Sequence, residues 1–193
     1  MTLQTADPLP HLSELFDLST PVELEIGCGK GKFILERAEE HPDINFLAVD
    51  RIHKWMNVGL RKLERRALPN VKFLRAEARQ LLEESIPPAS LSVCHIYFPD
   101  PWPKRRHRRR RLVNEELLTM VHGRLRQDGL LEIVTDFDDY FEEIRAAVLR
   151  VEPAWSSFRE STGERLFEAH LKTNYERKYE IDGRRIFYME LKK

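Results

Sequence analysis

The chain has 193 residues, of which 41% are hydrophobic and 33% are charged, a balance typical of one globular domain and not of a disordered chain. The formal net charge is zero, which argues against a nucleic-acid partner as long as the charge is evenly spread. It is not: Lys104–Arg111, here called the arginine segment, holds seven of the 32 Lys and Arg residues, so the remainder has 25 basic and 32 acidic residues. A neutral total therefore hides one strongly positive segment. We expect residues 1–193 to form a single domain.

Cysteine usage and hydropathy limit the class of protein further. Cys28 and Cys94 form no C-x-x-C pair, which predicts neither a disulfide framework nor a zinc site, and we expect no metal. The first twenty residues lack the cationic start and apolar run of a signal peptide. No stretch approaches the roughly 18 apolar residues of a membrane span. These features favour a cytoplasmic protein that has no membrane partner.

Short β-rich runs alternate with helical patterns after a lead-in, residues 1–20, that we expect to be irregular. We predict strands at 22–26, 45–49, 71–74, 91–98 and 130–135, and helices at 32–40, 54–68, 78–84, 114–126 and 138–150. In the helix 54–68 we expect the inner face to comprise Trp55, Val58, Leu60 and Leu63. After Pro153 the pattern changes to two strand-like runs, 155–158 and 184–191, with no long helix between them.

This alternation predicts an α/β fold: a Rossmann-like, mostly parallel sheet with helices on both faces and an antiparallel pair at its C-terminal edge. In such sheets ligands bind beyond the carboxyl ends of the strands. Here those strands end at or near a glycine or an acid, namely Gly27, Asp50, Glu77, Asp100 and Asp136. The clustering predicts a ligand site along this edge.

The segment ELEIGCGKGKF places Gly27, Gly29 and Gly31 directly after the first strand, where glycine lets the backbone turn tightly and approach a ligand. The alternative is a turn that uses glycine for geometry alone. Asp50 is suited to accept hydrogen bonds from both ribose hydroxyls of an adenosine. Glu25 is unhelpful for the pyrophosphate of a dinucleotide but attracts the ammonium and sulfonium of S-adenosylmethionine, so charge favours the methyl donor.

The segment YFPDPWPK contains three residues that each precede a proline, Phe98, Asp100 and Trp102, and each is therefore biased toward an extended conformation. Alternate residues of an extended run face the same way, so we expect Asp100 to lie between two aromatic rings on one face. A fixed acceptor flanked by flat apolar surface is suited to guanine, which offers N1–H and an amine as donors. The alternative is a rigid loop whose Asp binds nearby backbone amides.

The arginine segment directly follows this loop. A solvated face is the alternative, but such a run binds phosphates strongly, and the guanidinium fork matches a phosphate. The candidates for phosphate contact are Arg105, Arg106, Arg108 and Arg109.

Three motifs together, EIGCGKG, FPDPWPKRRHRRRRL and TNYERK, resemble the bacterial single-chain tRNA (guanine-N7-)-methyltransferases, and the resemblance runs from about Val22 to Leu191. It implies a seven-stranded methyltransferase sheet, S-adenosylmethionine as the methyl donor, and N7 of the guanosine at position 46, in the variable loop of tRNA, as the acceptor. As partners it implies tRNA and, for the protein itself, a monomer or homodimer.

The resemblance also assigns residues. The donor-binding positions would be Glu25, Gly27, Gly29, Asp50, Glu77 and Asp100, with Asp100 also the catalytic acid. The substrate-binding positions would be Lys104, Asp136, Thr173, Asn174, Tyr175 and Glu176. For Glu77 the alternative is a surface acid at the start of a helix. The T-x-x-E spacing of Thr173 and Glu176 also fits a helix capping box, but no apolar helical run follows it, which favours the substrate role.

Three other functions stay open at this point. An NAD(P)-dependent oxidoreductase would use the glycine loop and Asp50 but leaves YFPDPWPK and the arginine segment unexplained. A non-catalytic RNA-binding module would not need the three acids Glu25, Asp50 and Asp100. For the third, a methyltransferase of another base or of a protein, only the resemblance argues against it.

Overall fold

The structure is a computed structural model that describes residues 8–151, 154–167 and 170–193; the first seven residues of the lead-in and Pro153 lie outside this range. The strands are β1 Val22–Ile26, β2 Asn45–Asp50, β3 Val71–Arg75, β4 Leu91–Tyr97, β5 Leu125–Thr135, β6 Ser157–Thr162 and β7 Phe187–Lys192. The α-helices are α1 Leu12–Leu15, α2 Lys32–Glu40, α3 His53–Arg66, α4 Ala78–Glu84, α5 Glu115–Arg124, α6 Asp138–Val151 and α7 Asn174–Ile181. None of these helices is long and apolar enough to cross a bilayer.

The seven strands form one mixed sheet in the order β3-β2-β1-β4-β5-β7-β6. Neighbours from β3 to β5 are parallel, whereas β7 runs antiparallel to both β5 and β6. The chain order reverses between β1 and β4, which makes the carboxyl ends of these strands the switch point where open sheets bind ligands. The predicted seven-stranded, mostly parallel sheet with an antiparallel C-terminal edge is confirmed.

The helices cover both faces of the sheet. Leu47 and Val49 of β2 belong to a core cluster that includes residues of α1, α4, α5 and α6, whereas Phe46 and Ala48 belong to a separate cluster with α2 and α3. Successive side chains of a strand point to opposite faces, so the two clusters lie on opposite sides of the sheet. This is why β1 and β4 are buried along their whole length.

The sequence predicts an irregular lead-in, and this is wrong for one part of it: α1 forms one helical turn there. His11 caps this turn: its side chain accepts a hydrogen bond from Ser13 N, and the Glu14 carboxylate accepts one from His11 N. Leu12 and Phe16 are buried in the core. Burial of these two apolar side chains stabilises a turn that local propensity alone does not indicate.

Three other predictions need correction. Trp55, expected on the inner face of α3, is 36% exposed, and the buried positions there are Met56, Gly59, Leu60 and Leu63. The region between β6 and β7 contains the eight-residue helix α7. The strand expected from residue 130 begins five residues earlier, at Leu125, because α5 ends at Arg124 and the chain continues in an extended conformation.

Candidate active site

A cleft of about 630 Å³ opens at the carboxyl ends of β1, β2 and β4, at the switch point of the sheet. It gathers residues from Glu25 to Lys178, which are far apart in the sequence. Ten of the predicted site residues line it: Glu25, Gly27, Gly29, Asp50, Glu77, Asp100, Arg109, Thr173, Asn174 and Tyr175. Six predicted residues are not part of its lining: Lys104, Arg105, Arg106, Arg108, Asp136 and Glu176.

The glycine loop between β1 and α2 forms one wall. Gly27 and Gly29 have positive φ angles of 84° and 52°, and a Cβ atom at either would have no described atom within 4 Å. A ligand can therefore approach the backbone closely here. Gly31 begins α2 with φ +64°, and a Cβ there would lie 2.5 Å from Phe73 Cζ, so this glycine is required for packing the loop against β3.

Asp50 is held rigidly at the end of β2. Its Oδ2 accepts a hydrogen bond from Gly29 N at 2.9 Å, and its Oδ1 accepts one from Ile52 N at 2.8 Å. Each carboxylate oxygen has a further lone pair available for a ligand hydroxyl. The aspartate thereby ties the glycine loop to β2 and lines the cleft at the same time.

Glu25 is the buried acid of the cleft. It is 4% exposed, and its Oε2 forms no hydrogen bond within the described part of the chain. Burial raises the pKa of Glu25 to about 7, and Asp50 adds to the rise, while His95 and the Ile34 backbone act against it. An unpaired carboxyl oxygen at the wall of a cleft fits a cationic ligand group such as an ammonium, because a partner of opposite charge would remove the cost of its burial.

Glu77 combines the two roles that the sequence left open. It is the N-cap of α4, where its Oε2 accepts hydrogen bonds from Arg79 N at 2.8 Å and Gln80 N at 3.1 Å. It also lines the cleft. The cap fixes the carboxylate and leaves Oε1 to a ligand.

The loop after β4 is not the extended run that the sequence predicts. Phe98 and Trp102 have φ angles of 51° and 42°, in the left-handed region, so the argument that places Asp100 and both rings on one face by alternation is wrong. Contacts elsewhere in the fold outweigh the local preference: the Phe98 ring packs against Tyr175 and Tyr179, with centroids 5.8 and 5.5 Å apart. Two such residues cost about 1–3 kcal/mol each, and such strain is concentrated at functional sites.

Asp100 nonetheless remains an accessible acceptor. Its side chain is 69% exposed, lines the cleft, and has Arg51 Nη2 3.9 Å from its Oδ2. Phe98 and Trp102 line the same cleft. The structure therefore brings the carboxylate and the two aromatic rings together through a folded loop.

Arg111 anchors this loop, a role that the sequence does not reveal. It is 3% exposed, its Nε donates to Pro101 O at 2.8 Å, and its guanidinium pairs with Asp139 at 2.7 Å and with Glu143. The last arginine of the segment is thus a structural residue. The signal that could have identified it is the acidic start of α6, which offers partners to one nearby arginine.

The rest of the arginine segment is a 3-10 helix, Arg105–Arg110, with no buried residue. Arg108 pairs with Asp139 at 2.9 Å, so one of the phosphate candidates is partly neutralised. Arg110 lies over the Trp102 ring at 5.0 Å and, with Arg109, reaches the cleft. Lys104, Arg105 and Arg106 are exposed next to it.

The segment at Thr173 is a helix cap after all. Thr173 Oγ1 accepts from Glu176 N at 3.1 Å and Glu176 Oε2 accepts from Thr173 N at 2.8 Å, which forms the capping box of α7. The expectation that no helix follows is wrong because buried polar contacts replace an apolar run: Glu176 is fully buried and pairs with Arg165. Asn174 and Tyr175 begin the helix and line the cleft, and Tyr175 is 56% exposed.

Asp136 lies near this helix instead of in the cleft lining. Its Oδ2 accepts from Arg184 Nη1 at 3.0 Å, and the same guanidinium lies 4.6 Å from the centroid of Tyr179. Asp136 therefore connects the end of β5 to α7, which carries Tyr175.

Sequence reasoning missed a buried polar network behind the cleft. His95 lies between two carboxylates, with Nε2 2.9 Å from Glu23 and Nδ1 2.8 Å from Glu132, and Tyr97 donates to Glu132 at 2.5 Å. Arg37 binds both oxygens of Glu23, at 2.5 and 2.9 Å. The signal was polar residues inside strands that otherwise read as apolar, in VELEI and LSVCHIY.

The shifted pKa values indicate that this network contains both a positively charged imidazole and negatively charged carboxylates. Burial alone would lower the pKa of His95, but Glu132 and Glu23 outweigh it and raise the pKa to about 9. Burial alone would raise the pKa of Glu23, but hydrogen bonds from Arg37 and His95 lower it to about 2. His95 is thus a buried imidazolium between carboxylates.

Comparisons with known proteins agree with this geometry. The family described as "Putative methyltransferase" matches residues 19–189. A tRNA (guanine-N(7)-)-methyltransferase of Geobacter metallireducens is 38% identical over 179 residues, which is 93% of this chain and 85% of that protein. Among solved structures, an antibiotic-related methyltransferase superposes with a TM-score of 0.63 at 17% identity. The match covers 100% of this chain and 96% of that one. A phosphoethanolamine N-methyltransferase of Haemonchus contortus in complex with S-adenosyl-L-methionine covers 90% of this chain and 48% of its own length, with a TM-score of 0.57 at 14% identity. The fold, the cleft and the sequence similarity together show that this chain belongs to the tRNA (guanine-N(7)-)-methyltransferase family.

Proposed function

We propose that this protein transfers a methyl group from S-adenosylmethionine to N7 of the variable-loop guanosine of tRNA. The observation that carries the proposal is a single cleft in which the unpaired carboxyl of Glu25 and the open glycine loop lie together with the exposed Asp100, beside the arginine segment. An NAD(P) site would place a pyrophosphate against that buried acid.

The donor side of the cleft is built to hold S-adenosylmethionine, which supplies the methyl group when bound. Glu25 would bind its ammonium, and Gly27 and Gly29 leave room for the chain of the amino acid. Asp50 would accept from the ribose hydroxyls, and Glu77 would meet the adenine through its free oxygen or its backbone. Asp100 would border both donor and acceptor.

Asp100 is the proposed catalytic residue. Guanine N7 has a free lone pair, so the protein needs no strong base and its tasks are alignment and management of charge. Positive charge develops on the guanine ring as N7 is methylated. A carboxylate on the opposite edge of the base would stabilise that charge and leave N7 unbonded.

The acceptor side would hold the nucleotide and its phosphates. Arg105, Arg106 and Arg109, with Lys104, are free to contact phosphates, whereas Arg108 would first have to leave Asp139. Tyr175 and Asn174 would contact the flipped nucleotide directly. Asp136, Thr173 and Glu176 would act by positioning α7, since their side chains are bound to protein groups. We further propose that the protein acts in the cytoplasm as a monomer or homodimer.

The test is methyl transfer from radiolabelled S-adenosylmethionine to unmodified tRNA, with the product located by chain cleavage at 7-methylguanosine. We expect label at the variable-loop guanosine. Label on another base would mean that the donor site is right and the acceptor wrong; the absence of label would contradict the function.

The role of Asp100 is tested in the same assay. Asp100→Asn and Asp100→Ala should lower the rate at saturating substrates about 100-fold, the size of effect seen when one electrostatic group is removed from a catalytic site. Asp43→Asn is the matched control, because Asp43 is an exposed acid just before β2. It lies at the amino end of that strand, whereas the cleft lies at the carboxyl ends. Full activity in both Asp100 variants would show that its charge has no role.

A further inference from the structure

The outer face of α3 carries positive charge at its start, at Lys54, and along its second half, from Arg61 to Arg66. The helix contains five cations and one acid. Positions seven and eleven residues apart lie on one side of a helix, so Lys54, Arg61 and Arg65 form one stripe, and Trp55, Lys62 and Arg66 form the neighbouring stripe. The opposite side of the helix packs on the sheet.

Most of this charge is not neutralised by the protein. Arg66 pairs with Glu39 at 2.9 Å, but no carboxylate in the described ranges lies within ion-pair distance of Lys54, Arg61, Lys62 or Arg65. Lys62 donates to Lys30 O at 3.2 Å, and its pKa is lowered by burial and then by the nearby cations Arg66 and Lys30. Glu36 acts against this lowering of the pKa but is outweighed, and like charges crowded in this way would be stabilised by an anion.

The face is continuous with the cleft. Trp55, at the start of α3, is 36% exposed, and Lys30 and Lys54 lie over its ring at 4.7 and 5.5 Å. Both Trp55 and Lys30 line the cleft. An exposed aromatic ring between two cations is suited to a nucleotide, whose base stacks and whose phosphate is charged.

The topology puts this face and the arginine segment on different sides of β1. α3 follows β2 and the arginine segment follows β4, and β1 with its glycine loop lies between those two strands in the sheet. A nucleotide drawn into the cleft has a backbone that leaves it in two directions. One direction is served by the arginine segment, and α3, about 21 Å long, could follow several phosphates in the other.

We propose that the outer face of α3, with Trp55 at its cleft end, binds the sugar–phosphate backbone of the tRNA on the side of the target nucleotide away from the arginine segment. This inference rests on the proposed function, because it takes tRNA as the occupant of the cleft. The two basic surfaces would together hold the strand on both sides of the extruded base.

The test compares two double variants of the full chain. Arg61→Ala with Arg65→Ala removes two charges from the α3 face, and Arg126→Ala with Arg150→Ala removes two exposed charges from β5 and the end of α6, outside the cleft. Arg150 pairs with Glu115, so the control changes the net charge equally but removes one charge that the protein already neutralises. We expect the α3 variant to bind unmodified tRNA about 10-fold more weakly and to reduce the slope of log K against log salt by about 2. Donor affinity and the rate at saturating tRNA should be unchanged.

Each outcome decides the inference separately from the proposed function. If wild type methylates tRNA and the α3 variant matches the Arg126/Arg150 control in affinity and salt slope, the α3 face is not a tRNA surface. Equal weakening in both variants would mean a general charge effect and would also contradict it. A changed oligomeric state of the α3 variant with unchanged tRNA binding would assign the face to a protein partner instead. If wild type neither binds nor methylates tRNA, the proposed function fails, and the inference fails with it.

Discussion

Glu23 and Glu25 are two residues apart on β1, and the difference between them separates the structural from the functional part of this sheet. They point to the same face and are 2% and 4% exposed. Glu23 is bound by Arg37 and His95, and its pKa is about 2, whereas Glu25 has an oxygen with no described partner and a pKa of about 7. The two carboxylates are therefore equally buried. Their hydrogen-bond and ion-pair partners decide whether each one stabilises the fold or is available to bind a ligand.

Removal of the satisfied charge should have the largest effect on stability. Glu23→Gln leaves the buried imidazolium of His95 and the guanidinium of Arg37 without a full countercharge, and breaking a buried pair in this way costs about 3–5 kcal/mol. The measurement is the free energy of unfolding in urea. Glu39→Gln is the matched control, since its pair with Arg66 is partly exposed and should contribute about 0–1 kcal/mol. Equal losses in the two variants would mean that the network does not stabilise the fold.

The same network predicts a pH dependence. The pKa of His95 is raised to about 9 in the folded protein from about 6.5 in the unfolded chain, so its contribution is fully present below pH 6.5 and is lost as the pH rises through 9. Between pH 6 and 8.5 the free energy of unfolding should fall by roughly 2 kcal/mol, at 1.36 kcal/mol per pKa unit. Urea unfolding of wild type and of His95→Gln checks this, because the variant should lose the fall above about pH 7.5, where His95 titrates, and keep only the smaller fall below that pH that the raised pKa of Glu25 contributes. A slope that persists above this pH in the variant would assign it to other groups.

Removal of the Glu25 carboxylate, which has an oxygen without a described partner, should leave stability unchanged and weaken the binding of the methyl donor. Glu25→Gln removes the proposed partner of the ammonium, and a hydrogen bond to a charged group is worth about 1.5–3 kcal/mol, so the dissociation constant for S-adenosylmethionine should rise at least about 10-fold. Its unfolding midpoint should not fall, since the carboxyl has an oxygen without a partner. Calorimetric titration and urea unfolding measure the two quantities. A Glu25 variant that is destabilised but binds the donor normally would reverse the roles of the two glutamates.

The raised pKa of Glu25 adds a second readout of that prediction. Below pH 7 the carboxyl is largely protonated, so donor affinity should increase as the pH rises from 6 through 7 and then level off. The donor's own titration is common to wild type and Glu25→Gln, and the difference between the two curves therefore isolates this residue.

Features that depend on local sequence pattern, such as strand ends, could be predicted from the sequence. Features that depend on contacts with distant residues, such as loop conformations, could not. The positions of Gly27, Asp50 and Asp100 at or just beyond strand ends could be predicted because apolar runs stop near them, and parallel strands bring these ends to one edge. The conformations of Phe98 and Trp102 could not, since proline favours an extended neighbour and only packing against α7 and the arginine segment overrides it.

Roles that depend on burial were equally out of reach. The run of seven cations does not by itself mark Arg111 as the buried member; the acidic start of α6 indicates that one arginine is paired there but not which one. His95 and Glu132 read as interruptions of apolar strands until the sheet places them next to each other. Trp55 was assigned to the core by helical periodicity, and its exposure beside Lys30 is a consequence of where the cleft opens.

Another buried carboxylate, Glu176, gives the prediction with the smallest expected effect. It resembles Glu23 in being fully paired, yet it belongs to the helix that carries Tyr175 into the cleft. Thr173→Ala removes the other half of its capping box and should cost about 1 kcal/mol of stability. Because the start of α7 then loosens, the KM for tRNA should rise a few-fold with little change in donor affinity. Steady-state kinetics and urea unfolding provide the measurements.

Asn114→Ala is the control that separates this positioning role from general loss of stability. Asn114 caps α5 through Leu117 N, so its loss should cost a similar free energy, and no residue of α5 lines the cleft. The other partner of its side chain, Arg79 at 3.3 Å, follows Glu77 on the proposed donor side, so KM for tRNA is the readout that separates the two variants. The two variants should therefore be equally destabilised and differ in KM for tRNA. If both raise KM alike, Glu176 and Thr173 stabilise the fold in the manner of Glu23; if only Thr173→Ala does, a fully satisfied carboxylate can still serve the site by fixing the helix that reaches it.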